Sequence, residues 1–153
     1  MDSKARQALV MARILKIAFI VSGLMFLYIV FKIPPNETEP LQPAVELIIS
    51  AVALTNIVLG FALPRYVARA ARSRQSSVGP STTPIQRWMT GYVLSLAFFE
   101  SCSLFGLVLH FMGARILVVE LLFAASLLAI LLRSPGVPLT DEGEKPAQVY
   151  PGE

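Results

Sequence analysis

At 153 residues the chain is 55% hydrophobic and only 15% charged, where a soluble domain carries about a quarter charged residues. So much apolar surface excludes an ordinary soluble globule and points to a membrane protein, while the single cysteine, Cys102, excludes an intrachain disulfide. The net charge of +3 is modest, and the basic residues flank apolar runs instead of clustering on a polar body, which argues against a nucleic-acid partner.

Four apolar runs follow one another. The first, IAFIVSGLMFLYIVF from Ile17 to Phe31, lies between Lys16 and Lys32, whose stems can snorkel to the interfaces. Its basic flank and apolar core suit a signal peptide, but no small residues mark a cleavage site, so an uncleaved span is expected. Pro34 and Pro35 stop it. The connection that follows, IPPNETEPLQP, carries Glu37 and Glu39; its Asn36 matches a glycosylation acceptor, a pattern short enough to arise by chance.

The second run, Ala44 to Leu63, is closed by Pro64. It carries a small or polar stripe of Glu46, Ser50, Ala53 and Gly60, with Thr55 and Asn56 nearby. The next connection holds Arg65, Arg69, Arg72, Arg74 and Arg87 and no acidic residue. This bias, with Lys4, Arg6, Arg13 and Lys16 before the first run, places the N-terminus, the second connection and the C-terminus in the cytoplasm. Arg65, Arg69, Arg72 and Arg74 are expected to contact anionic lipids at that face, or a partner.

Thr83 followed by Pro84 is a helix start, with the cap at Thr83 and proline in the first turn. The third run extends from Trp88 to Met112, with Arg87 and Trp88 at the interface. At 100° per residue, Tyr92, Ser95, Cys102, Ser103, Gly106 and His110 share a broad face, with Glu100 at its edge; this face is expected to pack on another helix, Ser95 and Gly106 against Ser50 and Gly60 of the second run. The fourth run, Ile116 to Leu132, ends at Arg133, and His110, Arg115 and Glu120 are expected to form a polar cluster at the outer end. The tail from 134 to 153, rich in proline, glycine and charge, reads as disordered and cytoplasmic.

The fold class is therefore all-α: one transmembrane domain over 1–133, a bundle of four helices spanning about 14–33, 44–63, 86–112 and 114–132, with both termini inside. The cell or inner membrane is the expected site.

Glu100 stands at the midpoint of the third run. A charged carboxylate there costs roughly 2.5 to 3.5 kcal/mol by insertion scales. It takes up a proton, which desolvation favours, or finds a partner. Lys and Arg lie far along the helix, so the neutral acid is expected. Counting inward from Arg87 and Arg65 at 1.5 Å per residue, Ser50, Thr55 and Asn56 come near its level, and Ser103 is one turn away. These four are the expected supporting groups.

ESCSLFGLVL, from Glu100, resembles the second helix of the ring-forming proteolipid, subunit c, of rotary F- and V-type ATPases. There a mid-membrane carboxylate is followed by an aromatic, Gly, Leu and Val, here Phe105, Gly106, Leu107 and Val108. Arg74 and Gln75 resemble the Arg-Gln pair of that family's basic loop, and Ala97 is in keeping. The resemblance implies a carboxyl that binds and releases a proton or sodium ion. The chain departs from the family in having Gly60 as the one glycine of its second run and its carboxyl on the third of four runs.

No spacing of His, Cys and carboxylates suits a metal, Ser101 and Ser103 have no base at usable distance, and no glycine-rich phosphate loop exists. An enzyme or a cofactor is not expected. Two classes remain: an ion-coupled membrane protein using Glu100, or a structural or accessory subunit of a homo-oligomer or membrane complex, whose buried polar groups fix helix packing.

Overall fold

The computed structural model describes residues 3–34, 41–73 and 83–136. Asn36, Arg74, Gln75 and tail residues 137–153 lie outside these, as do the side chains of Arg65, Arg69 and Arg72. The described residues form four helices and no strand: α1 (Ser3–Lys32), α2 (Pro43–Ser73), α3 (Pro84–Phe111) and α4 (Ile116–Leu132). Three contain segments long and apolar enough to cross a membrane, Ala5–Lys32, Pro43–Pro64 and Ile85–Phe111; α4 is apolar but shorter, at 17 residues.

Local chemistry explains where α3 begins and ends. The Thr83 side chain accepts from the Gln86 backbone N–H, the Gln86 side chain accepts from the Thr83 N–H, and Pro84 opens the first turn. At the other end Gly113 takes a positive φ of 78°. There its N–H reaches the His110 carbonyl at 3.1 Å, and the Ala114 N–H reaches that of Leu109 at 3.0 Å. This pair of bonds is the Schellman closure, which favours glycine because a left-handed residue has no room for Cβ. It turns the chain directly into α4.

Pro64 does not close α2, as its place after an apolar run suggests. The helix continues through it to Ser73. Proline removes one backbone donor and crowds the carbonyl of Gly60, four residues back, yet membrane helices tolerate this where neighbouring helices pack around the site. A Cβ on Gly91 of α3 would lie 3.5 Å from the Pro64 ring, so the two helices meet there.

α3 is the most enclosed of the three long helices and packs against all the others, whereas α1 packs on α3 and α4. One core cluster joins Ala12, Tyr92, Leu96, Phe99, Ala129 and Ile130; the second joins Val30, Ala53, Cys102, Leu109, Leu122 and Phe123. Polar contacts mark both ends of this bundle. At one, the Lys16 ammonium donates to the carbonyls of Leu131 (2.8 Å) and Arg133 (3.2 Å). A cation from α1 thus meets carbonyls at the C-terminal end of α4, where the last turn leaves acceptors open and the dipole is negative. At the opposite end the His110 ring Nε2 lies 2.7 Å from the Ile33 carbonyl, and Arg115 pairs with Glu46.

Candidate functional site

The face of α3 read from sequence is enclosed: Tyr92, Ser95, Cys102, Ser103, Gly106 and His110 are all buried. Its partner differs from the expected one. The sequence reading set Ser95 and Gly106 against Ser50 and Gly60 of the second run. Instead, a Cβ on Gly106 would meet the Phe123 ring of α4 at 3.1 Å, and Ser95 donates to its own Gly91 carbonyl at 2.9 Å. α2 reaches α3 through other groups. Gly60 lies under the Phe99 ring, and Phe61 packs on Phe99 at 4.8 Å between centroids.

The polar groups of α3 are bonded within the bundle. The Ser103 hydroxyl donates to Ser126 Oγ at 2.7 Å, and Ser126 donates to the Phe99 carbonyl at 2.7 Å, stitching α4 to α3. A Cβ on Gly23 would lie 3.9 Å from Ser103 Oγ, so α1 closes over the same point. The Cys102 thiol points to the Leu122 carbonyl at 3.6 Å. On another flank, Asn56 Nδ2 donates to Ser101 Oγ at 2.9 Å, and Ser101 donates to the Phe98 carbonyl at 2.7 Å.

Glu100 stands apart from this set. It is half-buried and makes no hydrogen bond or ion pair among the described residues. Its stripe along α3 is Ala97, Glu100, Leu104 and Phe111, with steps of three, four and seven that hold one direction on a helix. The other three are exposed, Leu104 by 44% and Phe111 by 41%. Glu100 is therefore on the outward edge of α3, roughly 100° from the Ser101 side that meets α2.

Its four expected supporting residues go elsewhere. Asn56 bonds Ser101 and Ser103 bonds Ser126. Thr55 is exposed and donates to the Ala51 carbonyl of its own helix at 2.8 Å, while the buried Ser50 hydroxyl has no hydrogen-bond partner among the described residues. The depth match brought Asn56 to the right level, but level along an axis does not specify direction around it.

At the end of the bundle where α3 turns into α4, the expected group of His110, Arg115 and Glu120 does not assemble. Both Nε and Nη2 of Arg115 donate to Glu46 Oε1, at 3.0 and 2.8 Å, and His110 bonds Ile33. Glu120 is exposed on α4, five residues and about 140° round the helix from Arg115. Glu46 opens α2 at this end, and its side chain is 6% exposed beneath an Arg115 that is 77% exposed. This pair was not anticipated. Reading both residues as first-turn neighbours at one end of the bundle is the signal that finds it.

Among the described residues no group of three or more His, Cys, Asp or Glu side chains is placed to hold a metal ion. Compared with protein-family models, curated proteins and solved structures, the chain matches none.

Proposed function

We propose that the chain is a four-span membrane protein, with both termini in the cytoplasm, that serves as a non-catalytic subunit of a membrane assembly and meets a neighbouring chain through Glu100. The observation that carries this reading is Glu100 itself, on the outward stripe of α3 at mid-length, with no partner among the described residues. A carboxyl in that position is stable only if it keeps its proton or receives a donor from outside the chain. The serines around it, bonded to α2, α4 and their own helix, serve packing.

The four-span reading is supported by matched lengths. Lys16 to Lys32 on α1, Glu46 to Pro64 on α2 and the whole of α4 each measure about 24 to 27 Å at 1.5 Å per residue, close to a hydrocarbon core of about 30 Å. The arginine bias supports the orientation.

The second reading is the ion-coupled one implied by the resemblance to subunit c, and the outward position of Glu100 favours it too, because a carrier carboxyl must be reachable from a neighbouring subunit. The two readings separate on one pair of variants. Glu100→Gln keeps a hydrogen-bonding group and removes the titratable one, whereas Glu100→Ala removes both. In a mild detergent, the assembly reading expects the parent and Glu100→Gln to run at the same oligomeric mass and Glu100→Ala to fall to a smaller species. A monomeric parent that recovers no partner from native membranes overturns it. The carrier reading expects dicyclohexylcarbodiimide to label Glu100 at neutral pH, and proton flux in liposomes to be lost equally in both variants.

A further inference from the structure

The outward face of α1 ends in a groove that matches a lipid. Along α1 every third or fourth residue from Val10 through Ile17 and Leu24 to Phe31 is at least half exposed. That stripe is about 32 Å long, so it runs past Lys16, beyond the hydrocarbon core and into the interface. Lys32 closes it at the outer end. At the inner end it runs into a groove of about 640 Å³ between α1 and the start of α3, walled by Val10, Met11, Ile14 and Met89. Arg6 and Gln7 stand at its far end, a turn beyond Val10 and about 6 Å deeper, at the depth of lipid headgroups. Among the described residues no acidic side chain lines the groove, and the described first half of α1 is basic through Arg6, Arg13 and Lys16.

We propose that this groove binds one anionic phospholipid, its phosphate on the Arg6 guanidinium and an acyl chain along Val10, Met11, Ile14 and Met89. An apolar wall that opens on the bilayer and ends in a cation with no counter-charge among the lining residues has the shape and charge of such a molecule. Guanidinium binds phosphate through paired charge-assisted hydrogen bonds, and a zwitterionic headgroup, whose phosphate is already countered by its own ammonium, gains less from them. The site is distinct from the arginine run beyond Pro64. It rests on the reading of the chain as a membrane protein but not on Glu100 or on which side of the membrane the groove faces, since binding can be read in detergent.

The test is native mass spectrometry of the full chain in detergent with phosphatidylglycerol or phosphatidylcholine added. Phosphatidylglycerol should bind about tenfold more tightly, a difference of about 1.4 kcal/mol. Arg6→Gln should abolish that preference and Arg6→Lys should keep part of it. Arg13→Gln, an exposed arginine on the same helix outside the groove, should leave it intact. Equal retention of both lipids overturns the proposal, as does an equal loss in Arg6→Gln and Arg13→Gln. If lipid binds only after the chain is cut following Gly136, the acidic segment 137–153 occupies the groove and the proposal fails.

Discussion

At the scale of single residues, the buried polar groups of this bundle fall into two kinds, and Tyr92 separates them. Ser103, Ser126, Ser101 and Asn56 each have a partner, so each hydroxyl or amide that leaves water is compensated. Tyr92 is 2% exposed and stacks on Trp88 at 5.9 Å between ring centroids, yet its hydroxyl has no hydrogen-bond partner among the described residues. The ring contributes its stacking and apolar area, while the hydroxyl carries an uncompensated desolvation cost of about 1 to 3 kcal/mol. Tyr92→Phe keeps the ring and removes the cost. Its thermal midpoint in detergent should equal or exceed that of the parent. A clear fall in that midpoint would show that the hydroxyl is bonded in the folded protein and would sink this account of the residue.

Between elements, the tightest space at any described glycine is that of Gly60 of α2 against Phe99 of α3. A Cβ built on Gly60 would lie 2.5 Å from Phe99 Cε1, and Phe99 is fully buried between α2 and α4, so the ring has nowhere to retreat. Gly60→Ala must therefore push the two helices apart, at a cost of about 1 to 3 kcal/mol, as for overpacked cores. Gly106→Ala faces Phe123 at 3.1 Å, a contact that a few tenths of an ångström relieve. Heat denaturation of both variants in one detergent should place Gly60→Ala well below Gly106→Ala; the reverse order would mean that the α3–α4 seam is the tighter one. The sequence carried part of this. The start of α3 at Thr83 and the buried set from Tyr92 to His110 were legible because caps and periodicity are local. The neighbour of that face was not. α4 is apolar but for Glu120 near its start and Ser126, so its pattern says little about which face meets Gly106. Glu120 marks an exposed side, and only the fold connects the Ser126 hydroxyl to Ser103. Likewise Glu100 read correctly as an edge residue by angle, but the level match to Asn56 ignored the rotation that turns Ser101, not Glu100, toward α2.

For the whole molecule the four-span proposal is most exposed at α4, because its 17 residues measure about 26 Å against a core of about 30 Å. Two contacts bear on that proposal. Arg115 precedes α4 and is pinned to Glu46 at the first turn of α2, which holds the start of α4 beside the start of α2. Lys16 donates to the carbonyls of Leu131 and Arg133, which holds the end of α4 beside a cation of α1. α4 therefore runs alongside α3, the arrangement that a fourth crossing requires. Reporter fusions at Asn36, Gln75 and Gly136 test this. Asn36 should report the outer side, and Gln75 and Gly136 the cytoplasm. A Gly136 fusion on the same side as Asn36 would mean that α4 returns without crossing, and the contact between Lys16 and the end of α4 would then have to break in the membrane.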